Sequence, residues 1–121
     1  MKIILFLICI LVVSQPFYNA KDCSDAYSAA DDAYSYSKKA YYADDLDDIK
    51  YYAKKAMSSF DDAMLYAEDC GCDDAYSSAD DGYSNAKKAY NSDNVSDGQY
   101  YARKAKGDAD DTMSYADDCS D

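Results

Sequence analysis

Four cysteines at 23, 70, 72 and 119 and four aspartate pairs, Asp31-Asp32, Asp61-Asp62, Asp80-Asp81 and Asp110-Asp111, are the residues of this chain that could do chemistry. Paired carboxylates without a sulfur or imidazole partner suit a hard cation such as calcium, or the acid and base of glycoside hydrolysis. Histidine is absent, which removes the usual general base and the commonest metal ligand together. No Asp-x-Asp-x-Asp-Gly loop is present either, so any calcium site on those eight aspartates is expected to be weak. Narrow helices offer no obvious substrate cleft, and the expectation is a non-catalytic protein with no cofactor unless calcium is one.

The elements that position these residues begin after a leader. Lys2 is followed by an apolar run from Ile3 to Val13, then Ser14, Gln15, Pro16 and a small residue at Ala20. That order reads as a secretory signal peptide over 1–20, and the run is short of the roughly 20 residues a membrane span needs. An exported chain, extracellular or periplasmic, is the expectation, with no membrane attachment after cleavage. Without Lys2, 11 basic residues face 24 acidic ones, a charge of −13. Such a surface repels nucleic acid and favours cations, basic partners and solubility.

Composition alone argues against folding. From Lys21 onward the large aliphatics and Phe are only Leu46, Ile49, Phe60, Leu65 and Val95, and so few of them with so much charge is a mark of disorder. Ala and Tyr must therefore fill any core. Their placement follows an internal repeat: Cys23 to Cys70 aligns without a gap on Cys72 to Cys119, with 28 of 48 positions identical. The expected units are 21–70 and 71–121.

Within each unit the spacing is helical. Tyr27, Tyr34 and Tyr41 fall seven apart with Ala30 and Ser37 between and Ala26, Ala33 and Ala40 alongside, a heptad seam of one large and one small residue. Those tyrosines are expected to fill the core. Ile49, Ala53, Ala56, Phe60, Ala63, Ala67 and Cys70 make a second stripe. Ser24 and Asp25 are placed to cap the first helix, Asp44 to Asp48 to break it and cap the next, Ser96 with Gln99 to form a capping box, and Gly71 to turn between units. The segments Ala40-Tyr41-Tyr42, Leu46-Asp47-Asp48 and Tyr52-Ala53-Lys54-Lys55-Ala56 resemble the helix-turn-helix of a tetratricopeptide repeat over fewer than about 20 residues, although the period is 49 instead of about 34. The resemblance implies hairpin geometry and, as an alternative function, a protein-docking scaffold.

The expected fold is all-α: two tandem disulfide-bracketed antiparallel helical hairpins, packed as a bundle or set in a linear array. Repeat symmetry favours Cys23 with Cys70 and Cys72 with Cys119, and a bridge closing so long a loop is worth about 4 kcal/mol in the chain-entropy model. A redox role for Cys70-Gly71-Cys72 is the rival reading.

With that pairing, like charges share levels across each hairpin. The aspartate pairs form acidic bands, and Lys38, Lys39, Lys54 and Lys55 form a basic band repeated by Lys87, Lys88, Arg103 and Lys104. Seven residues separate the bands, about 10 Å along a helix and close to a Debye length. A solvated face, cation binding, and matching of acidic to basic bands on another chain compete as explanations. Tyr36, Tyr42, Tyr51 and Tyr100 lie off the seam as candidate contact residues for a protein partner, a second copy or a carbohydrate. Asn94-Val95-Ser96 is a glycosylation acceptor pattern. The function expected is that of a secreted binding, adhesion or assembly module, with weak calcium binding as an alternative.

Overall fold

The computed structural model describes residues 22–120; the proposed signal peptide lies outside them. Four helices follow one another: α1 (Ser24–Tyr42), α2 (Leu46–Asp69), α3 (Asp73–Tyr90) and α4 (Val95–Cys119). Each is polar on one side and lined with Ala on the other, so its stability comes from packing that stripe.

Local chemistry sets the boundaries. Asp45 accepts from the Asp48 N–H at 2.9 Å and starts α2. Gly71, at φ 75°, takes the left-handed turn between α2 and α3. Two expected caps are corrected. Ser24 already lies inside α1, and Asp22 is the residue whose carboxylate accepts from its N–H and hydroxyl at 3.2 and 2.8 Å. The capping box at Ser96 and Gln99 is replaced by Asn94, which accepts from the Asp97 N–H at 2.8 Å, while Gln99 donates to the Ala43 carbonyl at 2.9 Å.

The helices form a bundle in which α1 and α3 each pack on α2 and α4, and the α2–α4 diagonal is in fuller contact than α1–α3. Bridges join Cys23 to Cys70 and Cys72 to Cys119, with Cα separations of 5.5 and 5.9 Å. The Cys23 N–H donates to Ser120 Oγ at 3.0 Å, and Lys50 Nζ donates to the Tyr90 carbonyl at 2.8 Å, so polar contacts also tie the first half to the second at both ends.

Three layers make the core, and each has its own filler among the alanines. At the bridge end Cys23 and Cys72 pack with Ala26, Ala67, Ala75 and Ala116. In the middle Phe60 lies among Ala33, Ala56, Ala79, Ala105 and Ala109. At the far end Ile49 lies among Ala40, Ala53, Ala89 and Ala102. Phe60 fits because α3 carries Gly82 opposite it, where an added methyl group would overlap the edge of the ring. Ile49 fits because α4 carries Gly98, whose added Cβ would lie 2.9 Å from Ile49 Cγ2.

The heptad tyrosines do not fill this core. Tyr27 is 43% exposed, and Tyr34 and Tyr41 are half-buried, while Ala26, Ala30, Ala33, Ser37 and Ala40 are buried as expected. Alanine-lined helices approach closely, since interaxial distance follows the side chains at the contact. The space left is too small for phenol rings, which lie at the margins of the core.

Candidate interaction surface

The aspartates of the acidic bands, Asp31, Asp32, Asp61, Asp62, Asp80, Asp81, Asp110 and Asp111, are all exposed. Among the described residues the ligand-type side chains that come close enough to share an ion are Cys23, Cys72 and Cys119, and no three carboxylates do so.

The cations are held differently. Lys39 lies over the rings of Tyr36 and Tyr52, and Lys55 over those of Tyr36 and Tyr51, at 5.2 to 5.8 Å from the centroids. In the second half Lys88 lies over Tyr101, and Arg103 and Lys104 over Tyr100. Lys50 over Tyr90 and Lys106 over Tyr34 join different halves. Lys39 and Lys55 each reach a ring on the neighbouring helix, so their two helices present the basic band at one level. Lys38, Lys54 and Lys87 are exposed beside this cluster. Asp69 aside, no ammonium or guanidinium among the described residues pairs with a carboxylate.

The candidate tyrosines divide. Tyr42, Tyr51 and Tyr100 are exposed, at 64, 57 and 46%, and each stands beside a second ring: Tyr41 with Tyr42, Tyr51 with Tyr52, and Tyr100 with Tyr101, with centroids 4.8 to 5.1 Å apart. Tyr36 is half-buried and packs on the middle core layer. It is less exposed than its place off the seam implied, and its ring is a platform for Lys39 and Lys55.

One polar feature escaped the sequence reading. Asn85 Nδ2 donates to Asp108 Oδ2 at 2.7 Å across α3 and α4. Burial pushes the Asp108 carboxyl above the usual range; the Asn85 hydrogen bond opposes this, and the charges of Asp81 and Asp111 add to it. The signal was present as a paired change, since the aligned residues of the first half are Tyr36 and Ser59. At the α2 start the neighbouring Asp45 charge raises the Asp48 carboxyl, and hydrogen bonds from Ser24 lower that of Asp22.

The surface hollows are open. One of about 370 Å³ at the bridge end is lined by Asp22, Ser24, Tyr27, Ser28, Asp117 and Ser120, and one of about 360 Å³ between α1 and α4 by Tyr34, Arg103, Lys106, Gly107 and Asp110. Asn94 is exposed at the start of α4, its amide donating to Asp97 at 3.1 Å. No family model matches the chain, and no curated protein or solved structure matches it either.

Proposed function

We propose that this is an exported, non-catalytic assembly module. A signal peptide over 1–20 is removed, and 21–70 and 71–121 act as antiparallel hairpins whose acidic bands dock on the lysine and tyrosine bands of a second copy. The observation that carries this reading is the way the cations are held. Lys39, Lys55, Lys88 and Lys104 rest on phenol rings, and the eight aspartates of the bands form no ion pair among the described residues, so each molecule retains two complementary bands. A lysine held on a ring also has less rotamer freedom to lose on docking, and the exposed rings of Tyr42, Tyr51 and Tyr100 add apolar area with a polar tip. At a charge of −13, nucleic acid is disfavoured as a partner.

The test replaces Lys38, Lys39, Lys87 and Lys88 by Gln and follows self-association by sedimentation at low and high salt. The parent associates at low salt and separates as salt screens the bands; the variant, equally helical, stays monomeric. A parent that is monomeric at every salt, or a folded variant that associates as the parent does, removes the proposal.

A further inference from the structure

All four sulfurs meet at one end of the bundle. Sγ atoms of Cys23, Cys72 and Cys119 lie within 4.8 Å of one another, although Cys23 is bonded to Cys70 and Cys72 to Cys119. The two bridges therefore pack side by side, and neither is insulated from a thiolate generated in the other. Exchange proceeds when a thiolate reaches a disulfide sulfur, and its direction follows access and the stability of the leaving thiolate.

Both factors differ among these cysteines. Cys23 and Cys72 are each 1% exposed, and Cys119 is exposed. Cys23 and Cys72 are the N-cap residues of α1 and α3, and neither makes a side-chain capping hydrogen bond. The positive dipole ends there favour a thiolate, more at α3 than at α1, where the Asp22 carboxylate already accepts from the Ser24 N–H. Cys119 closes the C-terminal turn of α4, where the dipole has the opposite sign. An incoming thiolate thus finds Cys119 the reachable sulfur and Cys72 the stabilised leaving group.

We propose that the bridge end is a thiol-exchange site that captures a small thiol covalently at Cys119 and passes the exchange inward. The thiolate forms a bond to Cys119 Sγ, the Cys72–Cys119 bond breaks, and Cys72 leaves as thiolate. Cys72 then bonds to Cys23 Sγ, a step set by proximity and not by leaving-group stability, since Cys70 is the C-cap of α2; the Cys23–Cys70 bond breaks and Cys70 leaves as thiolate. Cys70 takes up a proton and remains as a free thiol, and the captured thiol stays bonded to Cys119. Nothing is oxidised or reduced overall. Two bridges that each close one half become one Cys23–Cys72 bridge, which stitches the halves together, beside a mixed disulfide at Cys119.

The test incubates the folded full chain with limiting reduced glutathione at neutral pH, quenches with an alkylating reagent and maps unreduced peptides over time, with circular dichroism confirming that helicity is kept. A glutathione adduct forms first on Cys119, at least tenfold over any other cysteine, and peptides joined through Cys23 and Cys72 follow. The Cys23→Ser, Cys70→Ser double variant stops at the Cys119 adduct with Cys72 free. An adduct spread evenly over the cysteines, no adduct at all, a dominant Cys23–Cys119 product, or rearranged peptides that arise only in denaturant would each overturn the proposal.

Discussion

The stretches 23–70 and 72–119 carry the same residue at 28 of 48 aligned positions, yet they furnish the core unequally. The first supplies Ile49 and Phe60; at the aligned positions the second has Gly98 and Ala109. Ile49 rests directly on Gly98, its own counterpart, and Phe60 on Gly82, the counterpart of Ala33. Where two similar halves face each other, aligned side chains compete for one space. The core accepts a large residue from one half only if the other gives up volume. Divergence in the buried layers is thus compensatory, whereas Asp31, Asp32, Lys38, Lys39, Asp61 and Asp62 on the surface all keep their identity 49 positions on.

The sharpest way to break this comparison is at Phe60 and Gly82. Phe60→Ala is expected to cost about 3–5 kcal/mol, since it empties the middle layer. Gly82→Ala alone is expected to cost about 1–3 kcal/mol or more through overpacking against the ring. The double variant gives the added methyl room that the ring vacated. Its loss, measured by urea unfolding, is expected to fall short of the sum of the two single losses by at least about 1 kcal/mol. Additive losses would mean that the glycine was not making room for Phe60.

That pairing shows what sequence could and could not convey. The stripe of α2 from Ile49 to Ala67 and the small-residue positions of α1 are buried as their spacing implied, because helical periodicity is a property of one segment. The place of the tyrosines is not such a property. A heptad of Tyr and Ala reads as a two-helix seam, but each helix here packs mainly on two neighbours and also touches the one across the diagonal, and close Ala contacts push the rings outward. The cap at Asp45 was legible from a run of aspartates, while that at Asn94 was hidden by the competing pattern of Ser96 and Gln99. Bridge pairing followed from the duplication. The cation–tyrosine contacts between α1 and α4 and the Asn85–Asp108 bond depend on how the halves pack, which local spacing does not encode.

A smaller effect sharpens the comparison at Ser37. Its side chain is 1% exposed and its Oγ has no hydrogen-bond partner, while the aligned residue of the second half is Ala86. A buried hydroxyl left unsatisfied costs free energy that an apolar residue of similar size avoids. Ser37→Ala is expected to stabilise the chain by about 1 kcal/mol, and Ala86→Ser to destabilise it by a similar amount. If thermal unfolding shows Ser37→Ala to be destabilising, the hydroxyl is satisfied in solution and the two halves are equivalent at this level.

The smallest expected effect is a pH dependence confined to the second half. Asp108 is half-buried and its carboxyl is raised, first by burial and then by the charges of Asp81 and Asp111, against the opposing Asn85 hydrogen bond and Lys104 charge. The first half has Ser59 at this position and no such titration. A carboxyl raised in the folded state binds its proton more tightly there than in the unfolded chain. Its contribution to stability is complete below the ordinary value of 3.8 and is lost as pH rises through the higher folded value. Asp108→Asn keeps an oxygen for Asn85 and removes the charge. Charges far from Asp108 are common to parent and variant, so the difference between the two melting curves reports Asp108 together with the charged neighbours it is coupled to. The difference is expected to be constant in acid and to move in favour of the variant as pH rises from about 4 toward neutrality. A difference that does not change with pH would mean that water reaches Asp108 freely, and that the second half carries its extra charge at no cost to folding.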